Sequence, residues 1–196
     1  MSDDLEVAGV LLAAGASSRF GSNKLLAPVA DGTPLGLRAA KNLLPWIDRL
    51  VVVVGHGQCA IRELFTQAGL DVCLCADAAL GMGHSLRCGI AAVREAGACV
   101  LALADMPMLS DETVSRVVTS LRSGAEIVVP THSGHDGHPV GFSRTVFPEL
   151  SRLSGDRGAR EVVLRDPNRV VRVECRDPGV LLDIDTPEAL RALNNR

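Results

Sequence analysis

The stretch Val7-Ala8-Gly9-Val10-Leu11-Leu12-Ala13-Ala14-Gly15-Ala16-Ser17-Ser18-Arg19-Phe20-Gly21-Ser22-Asn23-Lys24 runs from an apolar, strand-like segment straight into a loop of small residues. Small residues let the backbone bend close to a ligand, and Gly15 and Gly21 tolerate φ > 0 or near contact with a phosphate. Consecutive backbone N–H groups in such a turn form an anion-binding concavity. Arg19 and Lys24 place fixed positive charge at the ends of the loop. A strand opening into a small-residue loop with Arg and Lys reads as a nucleoside triphosphate site. The plain alternative is a Gly/Ser turn with solvated basic residues.

Two commoner phosphate loops are excluded. A Walker A loop needs Gly-x4-Gly-Lys-Ser/Thr, whereas Lys24 lies three residues past Gly21 and is followed by Leu25. A dinucleotide fingerprint needs Gly-x-Gly-x-x-Gly, whereas Gly15 and Gly21 are six apart.

Outward from this loop, the chain predicts one α/β domain. Its 196 residues suffice for a sizeable core, and 47% apolar content argues against disorder. A net charge of −3 without a long basic cluster gives no footprint for duplex nucleic acid or an anionic membrane. No apolar run is long enough to span a bilayer. The acidic start Met-Ser-Asp-Asp lacks a signal peptide's basic region, so a cytoplasmic location is expected. The six cysteines form no Cys-x2-Cys pair and are expected to be reduced and buried.

Strand-like runs alternate with helical ones. Strands are predicted over 7–12, 50–54, 71–75, 98–103 and 126–129. Helices are predicted over 35–44, 60–68, 85–96 and from the Ser110 cap to residue 121. Such βαβ alternation implies a mostly parallel, Rossmann-like sheet covered on both faces, with ligands at the carboxyl ends of the strands. After Pro130 the alternation weakens. Residues 131–138 read as a Gly/His loop, 140–142 and 169–173 as short strands, and 144–150 and 159–164 as helices. Together they make a small β-containing extension. Thr186 is the expected cap of a last helix, with Pro187 at its first position.

Asp105 closes the apolar run 99–104 and is therefore expected at the carboxyl end of a central strand, facing the site. Asp185 is its candidate partner, with Asp183 two residues earlier. Mg²⁺ takes one or two carboxylates plus substrate phosphates, so Asp105 and Asp185 beside Arg19 and Lys24 suit a metal-bound triphosphate. The alternative for Asp105 is a turn or cap before Pro107. His132, His135 and His138 have metal-ligand residue types, but Gly134 and Gly137 favour a flexible loop. His56 fits a nucleotide contact or a turn, and Arg157 an acceptor contact or a solvated helix charge.

Leu12, Ala13, Ala14, Gly15, Arg19, Gly21 and Lys24 match the pattern Leu-Ala-Ala/Gly-Gly-x3-Arg-x-Gly-x2-Lys. This resembles the signature of nucleotidyltransferases that move NMP from an NTP onto a phosphorylated acceptor. Leu103-Ala104-Asp105-Met106-Pro107 and Asp183-Ile184-Asp185-Thr186-Pro187-Glu188 resemble two motifs of the molybdopterin nucleotidyltransferase group. Ala13-Ala14-Gly15 and Gly81-Met82-Gly83-His84-Ser85 are similar to its molybdenum cofactor cytidylyltransferase branch. Residues 137–140 and 155–160 look like that branch's acceptor side. Asp136, where the group often has Arg, and Ala189, where it often has Asp, depart from the pattern.

The resemblance implies Mg²⁺-dependent transfer of CMP from CTP to the terminal phosphate of a molybdopterin-type cofactor. Arg19, Lys24 and Asp105 would be catalytic, and Asp105 and Asp185 would bind the metal. Leu12, Ala13, Ala14, Gly15, Gly81 and Ser85 would complete the nucleotide pocket, with His138 and Arg160 facing the acceptor. Residues 1–130 would form the nucleotide half, and 131–196 the acceptor side with the C-terminal metal motif. A molybdenum enzyme would be the recipient. Three alternatives stand: GTP or another phosphorylated acceptor on this fold, a nucleotide-cofactor oxidoreductase, and a non-catalytic cofactor carrier or insertion partner.

Overall fold

The structure is a computed structural model, and it describes residues 5–15, 20 and 23–195. In chain order its elements are β1 (Val7–Leu12), α1 (Leu35–Leu43), β2 (Arg49–Gly55), α2 (Cys59–Gln67), β3 (Asp71–Cys75), α3 (Met82–Ala92), β4 (Ala98–Leu103) and α4 (Asp111–Arg122). They continue with β5 (Ile127–His132), β6 (His135–Asp136), β7 (Val140–Ser143), the single turn α5 (Phe147–Leu150), α6 (Arg160–Arg165), β8 (Val170–Glu174) and α7 (Pro187–Asn194).

The first four strands are parallel, in the order β3-β2-β1-β4. Their alternate side chains feed two cores. Val7 and Leu11 of β1, Val52 and Val54 of β2 and Val100 of β4 pack with α1, α2, α4 and α7. Ala8, Val10, Val51, Val53, Cys99 and Leu101 pack on the other face with α3, α5 and α6. Two-sided burial is why these strands read as continuous apolar runs.

Beyond β4 the direction changes. Strand β7 pairs antiparallel with both β4 and β5 and lies between them. Ile127 pairs with Phe142 of β7 and with Val170 of β8, while Thr131 pairs with Asp136 of β6 and Glu174 of β8. Thus β7 and β6 follow one another along one edge of β5, and β8 takes the other. The β-containing extension expected after Pro130 is laid into the one sheet.

Three local expectations are corrected. The loop expected over 131–138 holds a hairpin, turned at Ser133 (φ 51°) and Gly134 (φ 78°), the left-handed pair that a tight antiparallel turn requires. Helix α3 begins at Met82, three residues before the expected start, because Gly81 at φ 120° supplies the bend into it. Cys59 is exposed at the start of α2, while Cys75, Cys99 and Cys175 are buried as expected. Ser110 and Thr186 cap α4 and α7 as expected, accepting from the N–H groups of Thr113 and Ala189. Among the described residues no helix is long and apolar enough to cross a membrane.

Candidate functional site

At the carboxyl ends of the central strands the ladder runs one residue past β1 and β4. Ala13 N–H donates to the Val53 carbonyl at 2.9 Å, and Ala104 N–H to the Leu12 carbonyl at 3.0 Å. This fixes Ala13 beside Ala104 on the sheet edge, with Asp105 the next residue. A 3-10 turn over Lys24–Leu26 approaches them, capped by Asn23, whose side chain accepts from Leu25 N–H. Leu25 is buried beside α1 and holds the turn down.

The Lys24 ammonium then reaches two carboxylates, at 2.8 Å from Asp105 Oδ2 and 2.8 Å from Asp185 Oδ1. Burial disfavours the charged ammonium, but Asp105 and Asp185 outweigh it and hold its pKa above the ordinary lysine value. Asp105 Oδ1 is buried and has no hydrogen-bond partner among the described residues. A carboxylate oxygen withdrawn from water is costly unless a donor or cation meets it. With Asp185 across the ammonium, the pair offers the hard oxygen donors that suit a divalent ion such as Mg²⁺.

A cavity of about 420 Å³ opens in front of this triad. Its walls include Leu12, Ala13, Ala14, Gly15, Lys24, Gly81, Ser85 and Asp105, so eight residues singled out from distant motifs meet in one place. Arg19 and Gly21 lie outside the described residues. A Cβ on Gly15 would meet no described atom within 4 Å. Gly81 differs: besides its positive φ, a Cβ there would lie 2.3 Å from the Gly155 carbonyl. The 155–158 segment therefore sits directly on the start of α3, and Gly83 N–H donates to the Gly155 carbonyl at 2.8 Å. The amino end of α3 borders the cavity through Gly81, Met82 and Ser85, and a helix amino end favours anions.

A second cavity, of about 640 Å³, adjoins the first and shares Leu12, Met82 and Leu103 with it. It contains His138 and Arg160, the two residues expected on the acceptor side. His138 is half-buried, and its enclosed Nδ1 lacks a partner among the described residues. Burial holds the ring below the ordinary histidine pKa, against partial opposition from Asp105, the Leu101 backbone and Asp183. The other charged walls are Asp136 and Arg172, joined by a two-pronged ion pair: Nε to Oδ1 at 2.8 Å and Nη2 to Oδ2 at 3.0 Å.

Several candidates fall outside this assembly. His56 lines neither cavity, and Arg157 is exposed and paired with Glu161 at 3.6 Å. His132 also lines neither cavity and its ring meets the Cys175 carbonyl, whereas His135 lies on the wall of the second cavity with its ring against the Ser133 carbonyl. Sequence reasoning missed Gln58, which accepts from Gly55 N–H at 2.9 Å and donates to the Gly15 carbonyl at 3.1 Å, tying the loop to β2. It also missed Arg172 in the second cavity, and Asp156 of the 155–160 segment, expected on the acceptor side, lines the first.

Residues 9–170 match the MobA-like NTP transferase domain. The chain is 34% identical to the purine catabolism protein PucB of Bacillus subtilis, over 92% of each chain. It is 30% identical to the molybdenum cofactor cytidylyltransferase of Escherichia coli, over 91% of each. It is 33% identical to the nicotine blue oxidoreductase of Paenarthrobacter nicotinovorans, over 95% of this chain and 96% of the relative. Among solved structures, Rv0371c of Mycobacterium tuberculosis H37Rv superposes with a TM-score of 0.81 at 35% identity, over 100% of both chains. Its manganese complex gives 0.75 at 35% identity, over 97% of this chain and 98% of that one.

Proposed function

The chain belongs to the MobA-like NTP transferase family and is a nucleotidyltransferase; on that premise we propose that it transfers CMP from CTP to the terminal phosphate of a molybdopterin-type cofactor, releasing pyrophosphate. The observation that carries this reading is the Lys24 ammonium held at 2.8 Å by both Asp105 and Asp185 beside the first cavity. It brings a phosphate-binding cation and two hard oxygen donors to one point, as NMP transfer demands.

The acceptor phosphate is its own nucleophile and is already ionised, so no strong general base is needed. The protein's part is positioning and charge stabilisation. Lys24 and Arg19 bind the triphosphate, and Ala13, Ala14 and Gly15 let it approach the backbone. Asp105 and Asp185 are the residues that would hold Mg²⁺; when bound, the metal supplies neutralising charge for the departing pyrophosphate. Ala14 narrows the base pocket, and the buried Ser85 offers a hydroxyl to a pyrimidine edge. His138 and Arg160 face the acceptor in the adjoining cavity. Residues 1–130 thus serve the nucleotide and 131–196 the acceptor and the second carboxylate, and a molybdenum enzyme receives the product. The cytidylyltransferase relative supports CTP as donor, and the manganese complex of Rv0371c supports a divalent ion at the site.

The test is Mg²⁺-dependent pyrophosphate release from CTP, GTP, ATP and UTP, with and without molybdenum cofactor. Release from CTP that requires the cofactor is the expected result. Preference for GTP would reassign the base. No release from any nucleotide with intact cofactor would overturn the reading. The similarity to nicotine blue oxidoreductase favours a second reading, a nucleotide-cofactor oxidoreductase on this scaffold. Tight NAD(P)H binding in the first cavity without pyrophosphate release would select it.

A further inference from the structure

The second cavity is apolar along most of its wall, with Leu12, Leu86, Leu101, Val140 and Val163 among its residues. Its charged groups are Asp136, Arg160 and Arg172. Asp136 and Arg172 approach from opposite sides of β5: Asp136 pairs with Thr131 from β6, and Arg172 with Val129 from β8. Residues 129 and 131 share one face of the strand, so the ion pair arches over β5 on the cavity side. From β4, which leads to Asp105, the sheet runs through β7 and β5 to β8. At the usual strand spacing Arg172 is thus anchored about 14 Å from β4. The pair stands far from the reacting phosphates, where the body of an acceptor would lie.

The pairing leaves much of both groups unused. Arg172 spends two N–H donors on Asp136, and among the described residues no hydrogen bond takes the others. Each Asp136 oxygen accepts one bond and retains a lone pair. Mutual fixation holds the guanidinium and carboxylate in a fork-to-fork geometry. A rigid acceptor group and a rigid donor group are thereby presented side by side into an apolar space. The complement is a flat ring edge carrying N–H donors beside a carbonyl oxygen.

We propose that Asp136 and Arg172 together read the amino–oxo edge of a fused-ring heterocycle in the second cavity, the carboxylate accepting from ring N–H and amine and the guanidinium donating to the carbonyl. The assignment rests on the reading of this cavity as the acceptor's. It makes the pair a specificity determinant distinct from the groups around the phosphates.

The test uses two fluorescent probes that differ at one group: pterin, which carries the 2-amine, and lumazine, which has a carbonyl there. Titration of the full-length protein should show pterin binding about tenfold more tightly than lumazine, because the carbonyl turns an acceptor toward the Asp136 carboxylate. Asp136→Asn should bring the two affinities within about twofold. Arg172→Ala should weaken both, and Arg172→Lys should fail to restore them, because an ammonium lacks the planar fork. A purely structural ion pair would change the melting temperature without changing the pterin-to-lumazine ratio. Equal binding of the two probes by the unaltered protein, absence of saturable pterin binding, or a preference surviving Asp136→Asn would each overturn the proposal. Pyrophosphate release is measured separately, so loss of the CMP-transfer reading with the pterin preference intact is a distinct result.

Discussion

The backbone N–H of Ile184 donates to the Asp105 carbonyl at 2.9 Å. This bond draws the segment before α7 to the end of β4. Ile184 is fully buried, which fixes the twist of the chain there. Asp185 reaches Lys24, while Asp183 remains exposed. The two carboxylates of the site are therefore positioned by main chain and core rather than by each other.

Asp105→Asn keeps the shape of the side chain and removes its charge. Turnover should fall at least about 100-fold through lost charge stabilisation. Stability should fall by about 1–2 kcal/mol, since Lys24 loses one charge-assisted hydrogen bond and keeps the one it donates to Asp185. Steady-state kinetics and urea unfolding of the same preparation check both.

Chelation should stop pyrophosphate release without unfolding the protein. Lys24 already bridges both carboxylates and offsets half of their charge, so the folded state does not depend on a metal at this position. Thermal melts with and without EDTA, in the absence of nucleotide, should coincide. A large drop in the midpoint would assign the metal a structural part.

Gly81→Ala and Gly15→Ala should separate packing from ligand contact. At Gly81 the added methyl meets the Gly155 carbonyl in a backbone conformation that L residues rarely adopt, so stability should fall by about 2 kcal/mol or more. At Gly15 the methyl meets no described protein atom, so the melting temperature should hold while KM for CTP rises. Melting curves paired with nucleotide titrations distinguish the two.

The half-buried His138 ring, with its Nδ1 enclosed, should make stability depend on mild acid. Its folded-state pKa lies below the ordinary value, so the unfolded chain binds the proton more readily. The ring's contribution is therefore present above the unfolded value of about 6.5 and declines as pH falls toward the depressed folded value. Asp105 and Asp183 reduce the shift without reversing it. Urea midpoints at pH 8 and pH 5 should differ more for the unaltered protein than for His138→Gln.

Much of this site was legible because its residues carry local signals. The Gly15 loop follows an apolar strand, Asp105 ends another, and Thr186-Pro187 announces a helix start. Strand β7 was readable as a short strand but not as the partner of β4, since antiparallel insertion leaves no trace in a four-residue apolar run. The Ser133-Gly134 turn escaped because Ser at φ 51° is a weaker signal than Asn or Asp before Gly. Arg172 was invisible for a different reason. An exposed arginine on an edge strand reads as solvated, and only the pairing of β8 with β5 turns it toward a cavity.

The insertion of β7 between β4 and β5 also limits how such a protein diversifies. Removing everything after Pro130 would strip β7 from β4 and expose a long apolar strand edge, which invites aggregation. The part of the sheet after Pro130 therefore cannot be exchanged as a cassette. New substrates are reached by single side-chain changes on β6, on β8 and in the 155–160 segment. These can alter the second cavity while the nucleotide chemistry next door stays intact.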